Sequence, residues 1–203
     1  MRRLTAIFVA LSILLAPAVP STVASIQPLK SVADGKIFCT AFSINEEKSY
    51  WLTAMHCVQD QAGGEYLPYL GESGDRVKMI AGFPDVDIAV LGAGMSAPAL
   101  KLASVAPALN GNGQLGTQVY VTGYGYGFDP PTTFVGRAAN IISIEARKYL
   151  LFDMHVWPGH SGSPIQMMTG EVVAVTQISA GQVAGGSTWE DLERRTRKYW
   201  QAN

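Results

Sequence analysis

The arrangement of short apolar and alternating segments between turn residues is the feature that most constrains this fold. Between residues 36 and 179 these segments read KIFCTAFSI, SYWLTAM, RVKMIAG, DIAVLGA, QVYVTGYGY, AANIISIE, KYLLFDMHV, SPIQMM and EVVAVTQIS. Turn-forming residues separate them at GGE, GES, GFPD, NGNG and FDPP. Many short strands joined by such turns predict an all-β sandwich or pair of barrels, and they argue against alternating strands and helices.

Residues 94–116 divide the strand-rich region in two. This stretch, GMSAPALKLASVAPALNGNGQLG, is rich in alanine, proline and glycine and is predicted to connect a first half (36–93) to a second half (117–186). A helix is predicted over residues 188–201. Ser187 and Thr188 offer an N-cap there, Glu190 and Asp191 supply acids in the first turn, and cations follow.

The N-terminus has the layout of a secretory signal peptide. Two arginines precede an apolar run from Leu4 to Ala16, and the small residues of PAVPSTVAS follow. The run is shorter than the ~20 residues of a spanning helix, although an uncleaved anchor is the alternative. The sequence predicts a signal peptide over residues 1–24, with cleavage after Ala24 or Ala18. The remaining domain, residues 25–203, is then secreted or periplasmic, and residues 25–36 could serve as a pro-segment.

Cysteine content and charge narrow the partners. In an oxidising compartment, Cys39 and Cys57 are expected to form a disulfide, whereas a cytosolic chain would keep two thiols. The net charge is −1 and only 15% of residues are charged. With no run of like charge, neither nucleic acid nor a stable membrane association is expected.

The hexapeptide GHSGSP (159–164) presents Ser161 on a tight turn, where it could act as a nucleophile if a base is available. The chain has three histidines. His155 and His160 lie too close to Ser161 in sequence to reach it comfortably. No histidine follows Ser161, which excludes the chain order of α/β-hydrolases. His56 is therefore the candidate base, with a core histidine beside a disulfide as the alternative.

A carboxylate is needed to orient the base. The segment DVDIAVL places Asp87 at the mouth of an apolar strand, where a buried charge must be paired. Asp85 precedes it and is expected to be solvated. The predicted order is therefore His56, Asp87, Ser161, although either aspartate could instead be a loop cap.

In that order, the segments TAMHC, DIAVL and GHSGSP resemble the three signature motifs of the chymotrypsin-like (trypsin-like) serine proteases. CTAF before the histidine and VTGYGYG at the start of the second half match more weakly. The resemblance covers roughly residues 36–200. It implies two antiparallel six-stranded β-barrels, a C-terminal helix, and a catalytic site in the cleft between the barrels.

The resemblance also implies a role for each site residue. Ser161 would attack the scissile carbonyl, His56 would transfer the proton, and Asp87 would orient His56. The backbone N–H groups of Gly159 and Ser161 would form the oxyanion hole. The chain is then a secreted serine endopeptidase that acts through an acyl-enzyme on protein or peptide substrates. We expect a monomer without metal or other cofactor, whose cleft could also receive a protein inhibitor.

Departures from the animal enzymes point to bacterial-type members. His160 stands where those enzymes carry the aspartate that pairs with a newly cut N-terminus, so no such activation is expected. By resemblance, the primary substrate pocket is lined by His155, Val156, Thr176 and Ile178. No acid lies among them, which disfavours arginine or lysine in the substrate. An apolar pocket and an acid-selecting pocket at His155 both remain open.

Three other functions compete with this interpretation. An inactive protease homologue could serve as a binding module, although such homologues usually lose a member of the triad. A metal site built from the three histidines and a cysteine lacks suitable spacing, and a disulfide would consume the thiols. A secreted structural protein would need the three motifs to occur in this order by coincidence.

Overall fold

The computed structural model describes residues 23–59, 67–72, 74–109 and 116–201. The signal peptide predicted for residues 1–24 lies almost entirely outside these residues. The strands are β1 (Ile26–Lys30), β2 (Ile37–Asn45), β3 (Tyr50–Ala54), β4 (Tyr69–Leu70), β5 (Asp75–Arg76), β6 (Lys78–Phe83), β7 (Ile88–Gly92), β8 (Gln118–Gly123), β9 (Thr132–Ile144), β10 (Arg147–Phe152), β11 (Pro164–Met167), β12 (Val172–Ala180) and β13 (Val183–Ser187). One α-helix, α1 (Trp189–Thr196), follows them.

The first half is a curled antiparallel sheet in the order β5-β4-β1-β2-β3-β7-β6. Its two end strands, β5 and β6, are separated in sequence by the buried Val77 alone. They are therefore two parts of one bent segment, and the chain itself joins the two ends of the sheet. Counted in this way, the half contains six strand segments, as expected for a small barrel.

The second half is a closed barrel of six strands in the order β10-β13-β12-β11-β8-β9. With β5 and β6 counted as one segment, both halves have the same strand order. If the six segments of a half are numbered along the chain, their order around the barrel is 1-2-3-6-5-4. The prediction of an all-β, chymotrypsin-like fold is confirmed.

Strands β1, β4 and β13 were not predicted, and each has a weak sequence signal. β1 contains Pro28, which normally demotes a strand, yet it pairs with both β2 and β4. β4 has only two residues, and β13 contains Gly185 and Gly186 in place of an alternating pattern. Tertiary pairing, rather than local propensity, decides these three segments.

Three predicted elements end earlier than expected, and one of them is β8, which ends at Gly123 rather than at residue 126. β10 ends at Phe152 rather than at residue 156, because the Asp153 carboxylate accepts the next backbone N–H of β9, from Arg137. Helix α1 ends at Thr196 and continues as a 3₁₀ turn over Arg197–Tyr199. Its N-cap is Thr188, as the sequence predicts, and the side chain of Thr188 accepts the Asp191 N–H at 3.2 Å.

A shared hydrophobic cluster joins the two halves. Phe42, Ile44 and Val90 from the first sheet pack in the same cluster as Val175 from the second barrel and Trp200 from the C-terminal segment. Each half has a further cluster of its own. In the described part of the chain, no helix is long and apolar enough to cross a membrane.

Candidate active site

Strand pairing brings His56 and Asp87 together. Ala54, the last residue of β3, pairs with Ile88, the first residue of β7. His56 lies on the 3₁₀ turn that leaves β3, and Asp87 immediately precedes β7, with a φ of 51°. Aspartate tolerates this left-handed conformation better than most residues. The two residues therefore face each other across the end of the same strand pair.

Asp87 holds the histidine by both carboxylate oxygens. Oδ2 accepts from Nδ1 of the His56 ring at 2.8 Å, and Oδ1 accepts from the His56 backbone N–H at 2.9 Å. Because a carboxylate only accepts, the proton of the neutral ring is on Nδ1 and Nε2 is left as a base. The Asp87 side chain is only 10% exposed, whereas that of His56 is 45% exposed and accessible to a substrate. Asp85 instead forms an ion pair with Arg195.

The disulfide between Cys39 and Cys57 ties β2 to the turn that carries His56. The ring of His56 and the two sulfur atoms lie within 4.8 Å of one another. This cluster is the combination of histidine and cysteine that could otherwise suggest a metal site. Both sulfurs are bonded to each other, so neither is available as a thiolate ligand.

The Ser161 loop closes against the same region. The Ser161 carbonyl accepts the Thr40 N–H at 2.8 Å and lies 3.8 Å from Sγ of Cys57. The next residue, Gly162, donates its N–H to the Thr176 carbonyl at 2.8 Å. A Cβ at Gly162 would lie 2.1 Å from Oγ1 of Thr53, so only glycine fits. Contacts from both halves therefore place the Ser161 backbone next to Cys57, the residue that follows His56.

Gly159 has the conformation that an oxyanion hole requires. Its φ of 101° is open to glycine, and a Cβ there would lie 2.3 Å from the Tyr124 carbonyl oxygen. Its carbonyl is turned away and accepts the Thr40 hydroxyl at 2.8 Å. Among the described residues, neither the Gly159 nor the Ser161 N–H has an acceptor.

Comparison with known proteins identifies the family. Residues 39–175, more than half of the chain, match the model of the trypsin-like peptidase domain.

The chain belongs to the trypsin-like peptidase family.

Solved structures agree with this assignment at the level of the fold. The active form of the Rv3671c protease from M. tuberculosis is 20% identical, with a TM-score of 0.69 over 90% of this chain and 83% of that one. Its inactive form is 22% identical, with a TM-score of 0.68 over 87% and 89%. The serine endoprotease from Yersinia pestis is 16% identical, with a TM-score of 0.67 over 87% and 62%. No curated protein sequence matches the chain.

The four residues predicted to line the substrate pocket of this trypsin-like peptidase lie on both sides of the Ser161 loop. His155 is exposed, and its Nδ1 lies 2.7 Å from the Gly181 carbonyl oxygen. Val156 and Thr176 are buried, and Ile178 is half-buried. The Val156 carbonyl also accepts the Ser179 hydroxyl at 3.1 Å. These contacts join the segment before Ser161 directly to the segment that follows Thr176.

A cleft of about 550 Å³ adjoins the His56 side of the site in this trypsin-like peptidase. Of the four predicted pocket residues, Ile178 lines it. The other lining residues are Met55, His56, Gln59, Pro84, Asp87, Arg147, Tyr149 and Gln177. The cleft lies where the two halves meet, and both members of the His56–Asp87 pair open onto it.

Two residues that position the candidate site, Thr40 and Gln177, were not predicted from the sequence. Thr40 contacts both Gly159 and Ser161, as described above. Gln177 reaches from the second barrel to the first, and its side-chain amide donates to the carbonyls of Val86 at 2.7 Å and Asp87 at 3.0 Å. Each occupies a strand with an ordinary apolar pattern. Only the pairing of distant segments places them at the site. Thr40 lies in the weakly matching CTAF segment, which did not mark it as a site residue, and Gln177 has no local signal.

Proposed function

We propose that this trypsin-like peptidase is an extracytoplasmic serine endopeptidase that cleaves protein or peptide substrates through an acyl-enzyme. The observation that carries the proposal is the pair of hydrogen bonds from His56 to the Asp87 carboxylate. Both carboxylate oxygens bind that one residue, which leaves the ring Nε2 unprotonated and accessible beside the Ser161 loop. This is the arrangement that makes a serine hydroxyl nucleophilic.

In the first half of the reaction, Ser161 Oγ attacks the scissile carbonyl while His56 Nε2 takes the hydroxyl proton. The His56 ring then carries a positive charge, which the Asp87 carboxylate stabilises through the Nδ1–H bond. The imidazolium next gives its proton to the leaving amine. The C–N bond breaks, and the acyl group stays on Ser161 as an ester.

The negative oxygen that forms during this attack needs hydrogen-bond donors. The free N–H groups of Gly159 and Ser161 supply them, and their positions are fixed before the substrate arrives. Donors of this kind contribute about 3–4 kcal/mol to lowering the barrier. In the second half, water repeats the attack with His56 as base, which releases the acid and restores Ser161.

The substrate class follows from the residues around Ser161. His155, Val156, Thr176 and Ile178 include no carboxylate, so an arginine or lysine side chain has no counter-ion there. We expect an apolar or acidic residue on the acyl side of the cleaved bond. The disulfide and the signal-like N-terminus support a location outside the cytoplasm. We expect the chain to act as a monomer, with no metal or organic cofactor in the chemistry.

Labelling with a fluorophosphonate probe tests this function, since the probe reacts with an activated serine. The wild-type chain should be labelled, and Ser161→Ala and His56→Ala should not. Ser143→Ala is the matched control, because its side chain is exposed and it belongs neither to the proposed triad nor to the proposed pocket. This control variant should label as the wild type does.

The same experiment separates the enzyme from the binding module. A folded wild-type chain that resists labelling would contradict the proposed activity and favour a non-catalytic homologue. Labelling that survives Ser161→Ala would show that the nucleophile is a different residue.

A further inference from the structure

His160 is a buried titratable residue that the proposed reaction does not use. It lies between Gly159 and Ser161, yet its side chain is fully buried in the second half of the molecule. The ring lies flat against Gly125, where a Cβ would come within 2.4 Å of its Cε1 atom. The ring of Phe134 packs beside it, with 5.4 Å between the centroids. Packing therefore fixes the ring from two sides.

Two hydrogen bonds tie the ring to different segments. Nε2 lies 3.2 Å from the Thr132 hydroxyl at the start of β9. Nδ1 lies 3.2 Å from the Trp157 carbonyl oxygen and 3.4 Å from its backbone nitrogen. In either neutral form, one ring nitrogen can donate and the other can accept. The neutral ring is thus satisfied at both ends.

The surroundings of the ring offer no counter-ion for a charged form. Among the described residues, the elements packed against it contribute Gly125, Thr132, Phe134, His155 and Trp157. The ionisable member of this set is His155, whose charge would repel a second cation. Burial lowers the pKa of His160, the hydrogen bonds to Trp157 and Thr132 oppose this in part, and His155 lowers it further.

The backbone on both sides of the ring couples it to the oxyanion hole. The His160 N–H donates to the Trp157 carbonyl at 3.0 Å, and its own carbonyl accepts the Ser163 N–H at 2.9 Å. Gly159 lies inside the first of these turns and Ser161 inside the second. A movement of the His160 ring out of its site would therefore displace both proposed oxyanion donors.

We propose that the neutral His160 ring is a positioning residue that holds Gly159 and Ser161 in their oxyanion-binding shape, and that its protonation reversibly disarms the peptidase. The inference rests on the proposed function. A charged ring in this site would have to reach water, which requires the loop to open. The loss would fall on kcat, because the oxyanion is stabilised in the transition state and not in the bound substrate.

The free energy of unfolding should also decrease as the pH falls. Below the ordinary pKa of 6.5, the unfolded chain protonates this histidine while the fold keeps it neutral. The unfolded state then binds more protons, so the free energy of unfolding falls as the pH drops below about 6.5. The contribution of His160 to this decrease in the free energy of unfolding ends once the pH is below the lowered pKa of His160.

Histidine resonances in a proton NMR titration test the protonation of His160 directly. The chain has three histidines, and spectra of His56→Ala and His155→Asn assign them by elimination. We expect the His160 resonance to titrate below the range of a free histidine, together with a reversible change in Trp157 fluorescence. The fluorescence change should persist in Ser161→Ala, where no catalysis occurs. A His160 resonance that titrates at or above the ordinary value would overturn the inference, whether or not any variant folds.

Kinetics of two variants test the coupling to catalysis. His160→Leu removes both hydrogen bonds and should lower kcat at about pH 8 tenfold or more, with KM within about twofold. His160→Asn keeps a neutral polar group and should recover most of that loss. In acid, the slope of log kcat against pH should be steeper in the wild type than in His160→Asn by up to about one unit, because His160 takes up a further proton in the wild type.

The outcomes distinguish the two proposals. Suppose that the wild type is labelled by the fluorophosphonate and that its slope of log kcat against pH in acid equals that of His160→Asn. The proposed role of His160 would then be wrong, whereas the proposed peptidase activity would stand. Wild type that is not labelled at about pH 8, where histidines are neutral, overturns both proposals.

Discussion

At the scale of single residues, the orientation of His56 depends on one carboxylate. Asp87 accepts from the His56 ring and backbone, so Asp87→Asn would present an amide that favours the wrong tautomer. We expect kcat to fall by roughly 10⁴-fold at neutral pH, with little change in KM. Peptide hydrolysis kinetics measure this. Asp85→Asn is the matched control, because Asp85 pairs with Arg195 on the surface. Equal losses in the two variants would contradict the assignment of Asp87.

Thr40 is the second residue with a predictable kinetic effect. Its hydroxyl donates to the Gly159 carbonyl at 2.8 Å and accepts the Tyr124 N–H at 3.1 Å. Thr40→Val keeps the shape and removes both bonds, so Gly159 can rotate out of its oxyanion-binding conformation. We expect kcat to fall about fivefold to tenfold, in line with about 1 kcal/mol for the lost hydrogen bond to Gly159. Thr40→Ser should retain most of the activity. An increase in KM with kcat unchanged would contradict a positioning role.

The residues that could be assigned from sequence are those that lie in contiguous motifs. Asp87 stands directly before an apolar strand, and Ser161 lies in a glycine-rich turn. Thr40 and Gln177 act across distances of 119 and 90 residues in sequence, respectively, and the weak CTAF match does not indicate what Thr40 contacts. His160 was noted as a departure from the animal enzymes, but its complete burial depends on Gly125 and Phe134, which are remote in sequence. Local sequence motifs therefore indicate the proposed reacting groups more readily than they indicate the groups that position them.

At the scale of elements, the disulfide is the cross-link that fixes the His56 turn to β2. The two cysteines are separated by 18 residues, and closing such a loop is worth about 3 kcal/mol in the chain-entropy model. The double variant Cys39→Ala/Cys57→Ala should lose about this much free energy of unfolding in urea titrations. It should also lose activity before it unfolds, because the His56 turn is freed. Full activity in the folded double variant would contradict this role for the disulfide.

Strand prediction succeeded where the segment itself carried the pattern. β2, β3, β7, β11 and β12 were predicted nearly at their observed bounds, since each is apolar or alternating and is bounded by turn residues. β1 and β13 failed this criterion because of Pro28 and two glycines, and they form because neighbouring strands supply hydrogen bonds on both sides. An element that completes a barrel is thus specified by the gap it fills more than by its own composition.

At the scale of the whole molecule, the C-terminal segment joins the two halves. Trp200 packs against Phe42 of β2, with 6.2 Å between ring centroids, and the next residue, Gln201, donates its N–H to the Ile44 carbonyl. The indole also donates to the Thr196 hydroxyl of α1 at 2.8 Å. Since α1 packs against β12, Trp200 links the core of the first sheet to the second barrel. The active site lies at the same junction, so its geometry depends on the two halves staying together.

We therefore expect Trp200→Ala to destabilise both halves at once. Removing this largely buried ring should cost about 3 kcal/mol, as large-to-small core substitutions do. Hydrogen exchange read by mass spectrometry should show faster global opening in β3 and in β12 to the same extent. Val105→Ala is the control, because Val105 is 60% exposed and its truncation should change stability by less than about 0.5 kcal/mol. If only one half exchanged faster, the halves would be independent folding units, and the shared cluster would not be the source of their cooperativity.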